Sequence, residues 1–207
     1  MPYVMLSINP STPPHALGVV RRLEDRFFRD VHCMLRLPIP NYRLVAGCNF
    51  AITQVLTAAV GGLSTTLYSH SGSKGQRFKG LLTDYYPWNR EPPNSLSASQ
   101  RAEIIYSIIR NPLTHDLGLD LEKKSNTQKV KLKRLTTKNK IRGLPEKTIE
   151  SLETTDRRFT MSGTVVVRAD ATVVLVEALY WGIRCLVESL THDAARMANA
   201  ETFLAKL

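Results

Sequence analysis

Ser97-Ala98-Ser99-Gln100-Arg101-Ala102-Glu103-Ile104-Ile105-Tyr106-Ser107-Ile108-Ile109-Arg110-Asn111-Pro112 is the stretch in which the chain opens a helix and then breaks it. Ser97 and Gln100 stand at capping-box spacing, where the hydroxyl and the Gln side chain each satisfy an orphan amide of a first turn, so a helix is predicted to begin at Ala98. Ala102, Ile105, Ile108 and Ile109 then share one apolar face. Pro112 lacks the amide that an uninterrupted helix requires, which delivers Arg110 to a helix end or a kink. Alternatively, Asn111 caps and Pro112 opens a new turn.

Working outward, the same helical rule applies on both sides. Val20, Leu23, Phe27, Val31 and Met34 recur every three or four residues, giving an amphipathic helix over about 15–37 that Pro38 and Pro40 break. Asn41 is placed to cap a second, mostly buried helix through Leu44, Val45, Cys48, Ile52, Val55, Leu56 and Ala59, stopped at Gly61-Gly62. A Ser/Gly loop over 69–75 leads to a shorter helix from Lys74 to Tyr85 with Phe78, Leu81 and Leu82 inward and Trp88 plugging the core. Past Gly118 the period changes. Val130 and Leu132 alternate with Lys129, Lys131 and Lys133, and Thr164 to Val167 is β-branched, which reads as two strands; a short helix is expected over Pro145 to Glu153. Asp170 is expected to cap a last long helix containing Val173, Val174, Leu175, Ala178, Leu179, Trp181, Ile183 and Leu186, with a helical tail after Thr191. The expected fold is mainly α: one helical-bundle domain over residues 1–207, decorated by a small two-stranded β insertion at about 121–168.

Composition narrows the chemistry. At 207 residues and 43% hydrophobic content the chain can bury a substantial core. The longest mildly apolar stretch, Leu44 to Val60, is interrupted by Asn49 and Gln54, and the N-terminus lacks the charged-then-apolar layout of a signal peptide, so no membrane is expected. Cys33, Cys48 and Cys185 are odd in number and far apart, which suits a reducing cytoplasm and suggests neither a disulfide framework nor a zinc site. The net charge of +10 is concentrated: from Leu121 to Lys147 there are ten Lys or Arg residues, among them Lys123, Lys124, Lys129, Lys131, Lys133 and Arg134, against Glu122 and Glu146. Such a field favours a polyanion, and nucleic acid is the expected partner. That segment holds no aromatic residue, so backbone phosphates rather than stacked bases would be the contacts. Tyr85, Tyr86, Trp88, Tyr180 and Trp181 sit among apolar residues and are expected in the core or at a dimer contact.

Arg110 and His115 differ in what they can do. A guanidinium stays protonated and forks onto phosphate oxygens, whereas an imidazole with an ordinary pKa of about 6.5 moves protons at neutral pH. Arg110, polar Asn111 and His115 after four intervening residues resemble the signature of the HEPN superfamily; the aliphatic helix before the Arg and Asp116-Leu117-Gly118 after the His look like some of its members. The resemblance implies a helical, metal-independent endoribonuclease that needs no cofactor and acts as a homodimer, two copies of the motif meeting at the interface. It implies Arg110 on the scissile phosphate, His115 as general acid or base for 2′-hydroxyl attack, and Asn111 orienting one of them or the phosphate. It is also compatible with a toxin or defence component, an antitoxin or nucleotidyltransferase partner, and non-catalytic members that bind RNA or protein. Arg26 and His32 meet the same bare spacing, but Phe27 follows the Arg and the pair lies within an amphipathic helix, so a solvated face is expected there. A rival metal phosphohydrolase would draw on His115-Asp116, His192-Asp193, His70 and Asp170, yet no two His lie four apart on a helix. No Gly-x-Ser-x-Gly elbow is present.

Overall fold

Pro14 opens the first helix, where a missing amide costs nothing. In the computed structural model, which describes residues 3, 5–36, 48–68, 72–93, 95–111, 129–133, 163–167 and 171–206, this helix runs as α1 (Pro14–Leu23) through a π-helical turn (Glu24–Phe28) into α2 (Arg29–Arg36). The expected amphipathic helix is therefore present, with Ala16, Val20, Leu23, Phe28 and Val31 buried. Arg26 is exposed as expected, but His32 is half-buried, its ring edge-on to Tyr3 at 5.6 Å between centroids.

The second helix departs from expectation at both ends. Among the described residues it starts at Asn49, after Cys48 in the left-handed conformation (φ 60°), so a helix is not continuous through Cys48; residues 41–47 lie outside the described residues. It does not stop at Gly61-Gly62: α3 spans Asn49–Thr66. Each glycine costs a helix about 1 kcal/mol relative to Ala. Burial of Leu63 and Leu67 beyond them, with the Ser64, Thr65 and Thr66 hydroxyls donating back to the Gly61 and Gly62 carbonyls, outweighs that cost.

α4 (Lys74–Tyr85) has the predicted bounds, and a capping box at Ser73 and Gln76 fixes its start. Phe78, Leu81 and Leu82 are buried, and Trp88 closes the helix end by donating its indole N–H to the Leu82 carbonyl at 2.8 Å. α5 (Ala98–Glu103) begins at the predicted Ser97–Gln100 box and continues as a second π-helical segment, Ile104–Arg110.

Both predicted strands form, as β1 (Lys129–Lys133) and β2 (Val165–Val167), but between them lies a third, β3 (Ala171–Leu175). β1 is parallel to β3 and β2 antiparallel to it, with Lys133 opposite Leu175 and Val165 opposite Val174. Residues 173–175, expected in the last helix, are thus strand, and that helix is α6 (Val176–Thr191); Asp170, its expected cap, lies outside the described residues, as does the expected helix over 145–153. A run buried on both faces carries no period that separates strand from helix, and its β-branched content decides for strand.

α6 is the central helix, buried along most of its length from Val176 to Thr191, and it packs against α3, α4, β3 and α7 (Ala194–Leu204). Gly182 lets it approach α4: a Cβ there would fall 2.0 Å from the Tyr86 ring. At the re-entry point of the insertion, the Glu91 carboxylate accepts from the Thr164 amide at 3.0 Å and from the Thr164 hydroxyl, and pairs with Arg101 Nη1 at 2.9 Å. Burial pushes the Glu91 carboxyl above its ordinary range, against the opposing pull of those hydrogen bonds and Arg101. The Arg101 guanidinium lies 4.5 Å from the Trp88 ring centroid, so strand entry, connector and α5 are tied at one buried point. Tyr86, Trp88 and Tyr180 are core residues as expected, whereas Tyr85 and Trp181 are half-buried.

Candidate functional site

The capping box at Ser97 sets the rotation of α5, and the π segment then alters it. One extra residue per turn keeps Ile105 and Ile109 buried while Arg110 emerges half-buried at the segment's end. Asn111 retains right-handed helical angles (φ −63°, ψ −51°). An N-cap residue takes extended angles, so Asn111 is not the cap of a new turn and the helix carries on through it. Pro112 and His115 lie outside the described residues.

Arg110 is steered by its neighbours. Its Nη1 donates to Asn111 Oδ1 at 3.0 Å, and its Cζ lies 5.7 Å from the centroid of Tyr106, one turn back. Lys79 Nζ, from α4, lies 5.7 Å from the same ring and pairs with Glu103 at 2.6 Å. Arg110 and Lys79 thus both lie beside the Tyr106 ring, Lys79 with Glu103 as its partner. The ring itself is held against Phe78, 5.3 Å between centroids, and over Gly75, where a Cβ would meet the hydroxyl oxygen at 2.6 Å. The absence of a side chain at Gly75 is what lets the end of α5 pass the first turn of α4.

Tyr106, Lys79 and Glu103 were not singled out by sequence reasoning. The Tyr106–Arg110 spacing of four was a readable signal, since such pairs face each other on a helix. Lys79 gave none, because it reaches the site only through the packing of α4 on α5.

Of the basic residues expected to meet RNA, Lys129, Lys131 and Lys133 fall at alternate positions of β1, whose Leu132 packs on the core. The Asn49 side-chain amide donates to the Leu132 carbonyl at 3.2 Å, fastening β1 to the start of α3. Lys123, Lys124 and Arg134 lie outside the described residues. The structure thus brings Arg110 and Asn111 together and places three of the lysine positions in β1.

The residues of the rival metal reading divide differently. His70, His115, Asp116 and Asp170 lie outside the described residues, while His192 and Asp193 form the corner between α6 and α7. There Asp193 caps α7, accepting from the Arg196 amide at 2.9 Å and from the Tyr85 hydroxyl, which together hold its carboxyl below the usual range. Among the described residues no group of three His, Cys, Asp or Glu side chains is gathered as a metal would need, and no helix is long and apolar enough to cross a membrane. The three cysteines are free thiols.

This geometry can hold and orient a phosphate: a guanidinium at the end of the π segment, its fork turned by an amide neighbour, beside an aromatic ring with Lys79 alongside. Comparisons of the chain with models of known protein families, with curated proteins and with solved structures returned no match.

Proposed function

We propose that this chain is a HEPN-type, metal-independent endoribonuclease that works as a homodimer in the cytoplasm, with Arg110, Asn111 and His115 of each copy lining one composite site. The observation that carries the reading is Arg110 at the end of the α5 π segment, its guanidinium turned onto Asn111, with His115 five positions further along. Arg110 neutralises the scissile phosphate and His115 takes the 2′-hydroxyl proton. The 2′-oxygen bonds to phosphorus as the bond from phosphorus to the 5′-oxygen breaks, and the departing oxygen is protonated by the second His115 or by water. The products are a 2′,3′-cyclic phosphate and a 5′-hydroxyl. Lys123, Lys124, Lys129, Lys131, Lys133 and Arg134 supply sequence-tolerant phosphate contacts with a steep salt dependence. A toxin or defence role, restrained by an antitoxin or a nucleotidyltransferase, fits such an activity.

The test is incubation of the full chain with mixed RNA in chelator, beside Arg110→Ala and His115→Ala. Fragments ending in cyclic phosphate are expected from the wild type and reduced about 10²–10³-fold in each variant. Undiminished cleavage in both variants would sink the assignment. Retention of RNA without cleavage by any form leaves the rival reading, a non-catalytic RNA-binding module, which the basic segment favours over a protein-binding one.

A further inference from the structure

The other described tyrosines spend their hydroxyls on the fold. Tyr3 accepts from Arg184 at 2.7 Å, Tyr68 donates to Asp84 and Tyr85 to Asp193, each at 2.5 Å, Tyr86 donates to the Ala178 carbonyl at 3.1 Å and Tyr180 to that of Phe28 at 3.4 Å. Tyr106 differs: its hydroxyl has no hydrogen-bond partner among the described residues, and the oxygen is not sealed from water. The half-buried side chain is nevertheless closely placed. Its ring centroid lies 5.3 Å from that of Phe78, and a Cβ on Gly75 would fall 2.6 Å from the hydroxyl oxygen. Packing does not account for that oxygen, since a Phe would fill the same space against Phe78 and press less on Gly75.

The oxygen also stands at the end of the helix pair where Arg110 emerges. Arg101, near the start of α5, lies over Trp88, just past the end of α4, while Tyr106 meets Gly75 in the first turn of α4, so the two helices run in opposite directions. Arg110 follows Tyr106 by one turn, with its Cζ 5.7 Å from the ring centroid and its Nη1 on Asn111. A phosphate held there presents two non-bridging oxygens, and a hydroxyl beside the guanidinium supplies a charge-assisted hydrogen bond without adding a cation. We propose that the Tyr106 hydroxyl is a further substrate contact of the Arg110 site, donating to a non-bridging oxygen of the RNA phosphate that Arg110 holds; the assignment rests on reading that site as one for RNA. Phe78 and Gly75 fix where the donor stands.

A 2′-O-methyl oligoribonucleotide of mixed sequence separates this contact from cleavage, because it has no 2′-hydroxyl to attack. Filter retention of that probe by the full chain is measured across a salt series beside Tyr106→Phe and Arg110→Ala, with cleavage of unmodified RNA followed in parallel. Tyr106→Phe should weaken retention about tenfold, the loss expected for one hydrogen bond to a charged group, at an unchanged salt slope and with an unfolding midpoint near that of the wild type. Arg110→Ala should lower the slope by about 0.7, since it takes one cation from a single-strand phosphate. Unchanged retention in Tyr106→Phe, no retention by the wild type, or a slope that falls in Tyr106→Phe as it does in Arg110→Ala would each overturn the proposal, the last because the hydroxyl would then act only by placing the guanidinium. Wild-type retention that depends on the Tyr106 hydroxyl, without cleavage of unmodified RNA, would keep this contact and remove the endoribonuclease reading instead.

Discussion

The chain uses the same backbone device twice. The π-helical turn Glu24–Phe28 lies within the first long helix, and the π segment Ile104–Arg110 ends α5. In the first, Glu24 at the start is buried with Phe28 while Asp25 and Arg26 face outward, and a buried Arg184 stands among Tyr3, Phe28, Tyr180 and Trp181. In the second, the interior residues are isoleucines and the charge comes last, half-buried at the rim beside Asn111. One extra residue in a turn rotates whatever follows it. Placed early, it locks a charge into the core; placed late, it turns a charge out. The first arrangement buries a carboxylate in the core, the second sets a guanidinium half-buried at the rim.

Substitutions can break this contrast, the largest effect falling on the first turn. Arg184→Met keeps the stem but takes a donor from the Tyr3 and Tyr180 hydroxyls and removes the buried cation from its four aromatic neighbours, and should cost about 3–5 kcal/mol, read from the urea midpoint. A loss below about 1 kcal/mol would mean that the cluster is not holding the fold. Next, Gly75→Ala pushes on Tyr106, whose ring is confined between Phe78 and the two cations. The clash, less the gain in helix propensity, should come to about 1 kcal/mol, and RNA retention on a filter should fall as Arg110 is displaced. Smallest in stability is Arg110→Ala, about 0.5 kcal/mol by thermal unfolding, because the half-buried guanidinium gives up a cation–π contact and a bond to the adjacent side chain rather than core packing. If that variant unfolds as readily as Arg184→Met, both π segments are structural and the contrast fails.

What was legible in the sequence was local. The Ser97–Gln100 box and the bounds of α4 follow from side chains that reach their own backbone within one turn, so the needed information sits within four residues. The strands at 129–133 and 165–167 announced themselves by alternation and β-branching. The passage of α3 through Gly61-Gly62 was hidden because the burial that overrides the two glycines comes from other elements. Residues 173–175 were read as helix because burial on both faces erases the period that tells the two structures apart. At the candidate site, Pro112 led to a helix end or kink at Arg110 or a cap at Asn111, yet Asn111 is still helical, and neither the π geometry that turns Arg110 nor Lys79 beside Tyr106 is written in local sequence.

The order of the small sheet has a bearing on how the basic segment can change. Because β1 runs with β3 and β2 runs against it, Lys133 and Val165 both lie at the Leu175 end of the central strand, on opposite flanks. Two inter-strand spacings separate them, about 10 Å. A segment whose two ends are that close can lengthen or shorten at small entropic cost, about 0.6 kcal/mol for each doubling of its length. The stretch between Lys133 and Val165 is therefore a cassette: its charge and its length can change while the helices that carry Arg110 and the buried Glu91 latch stay as they are.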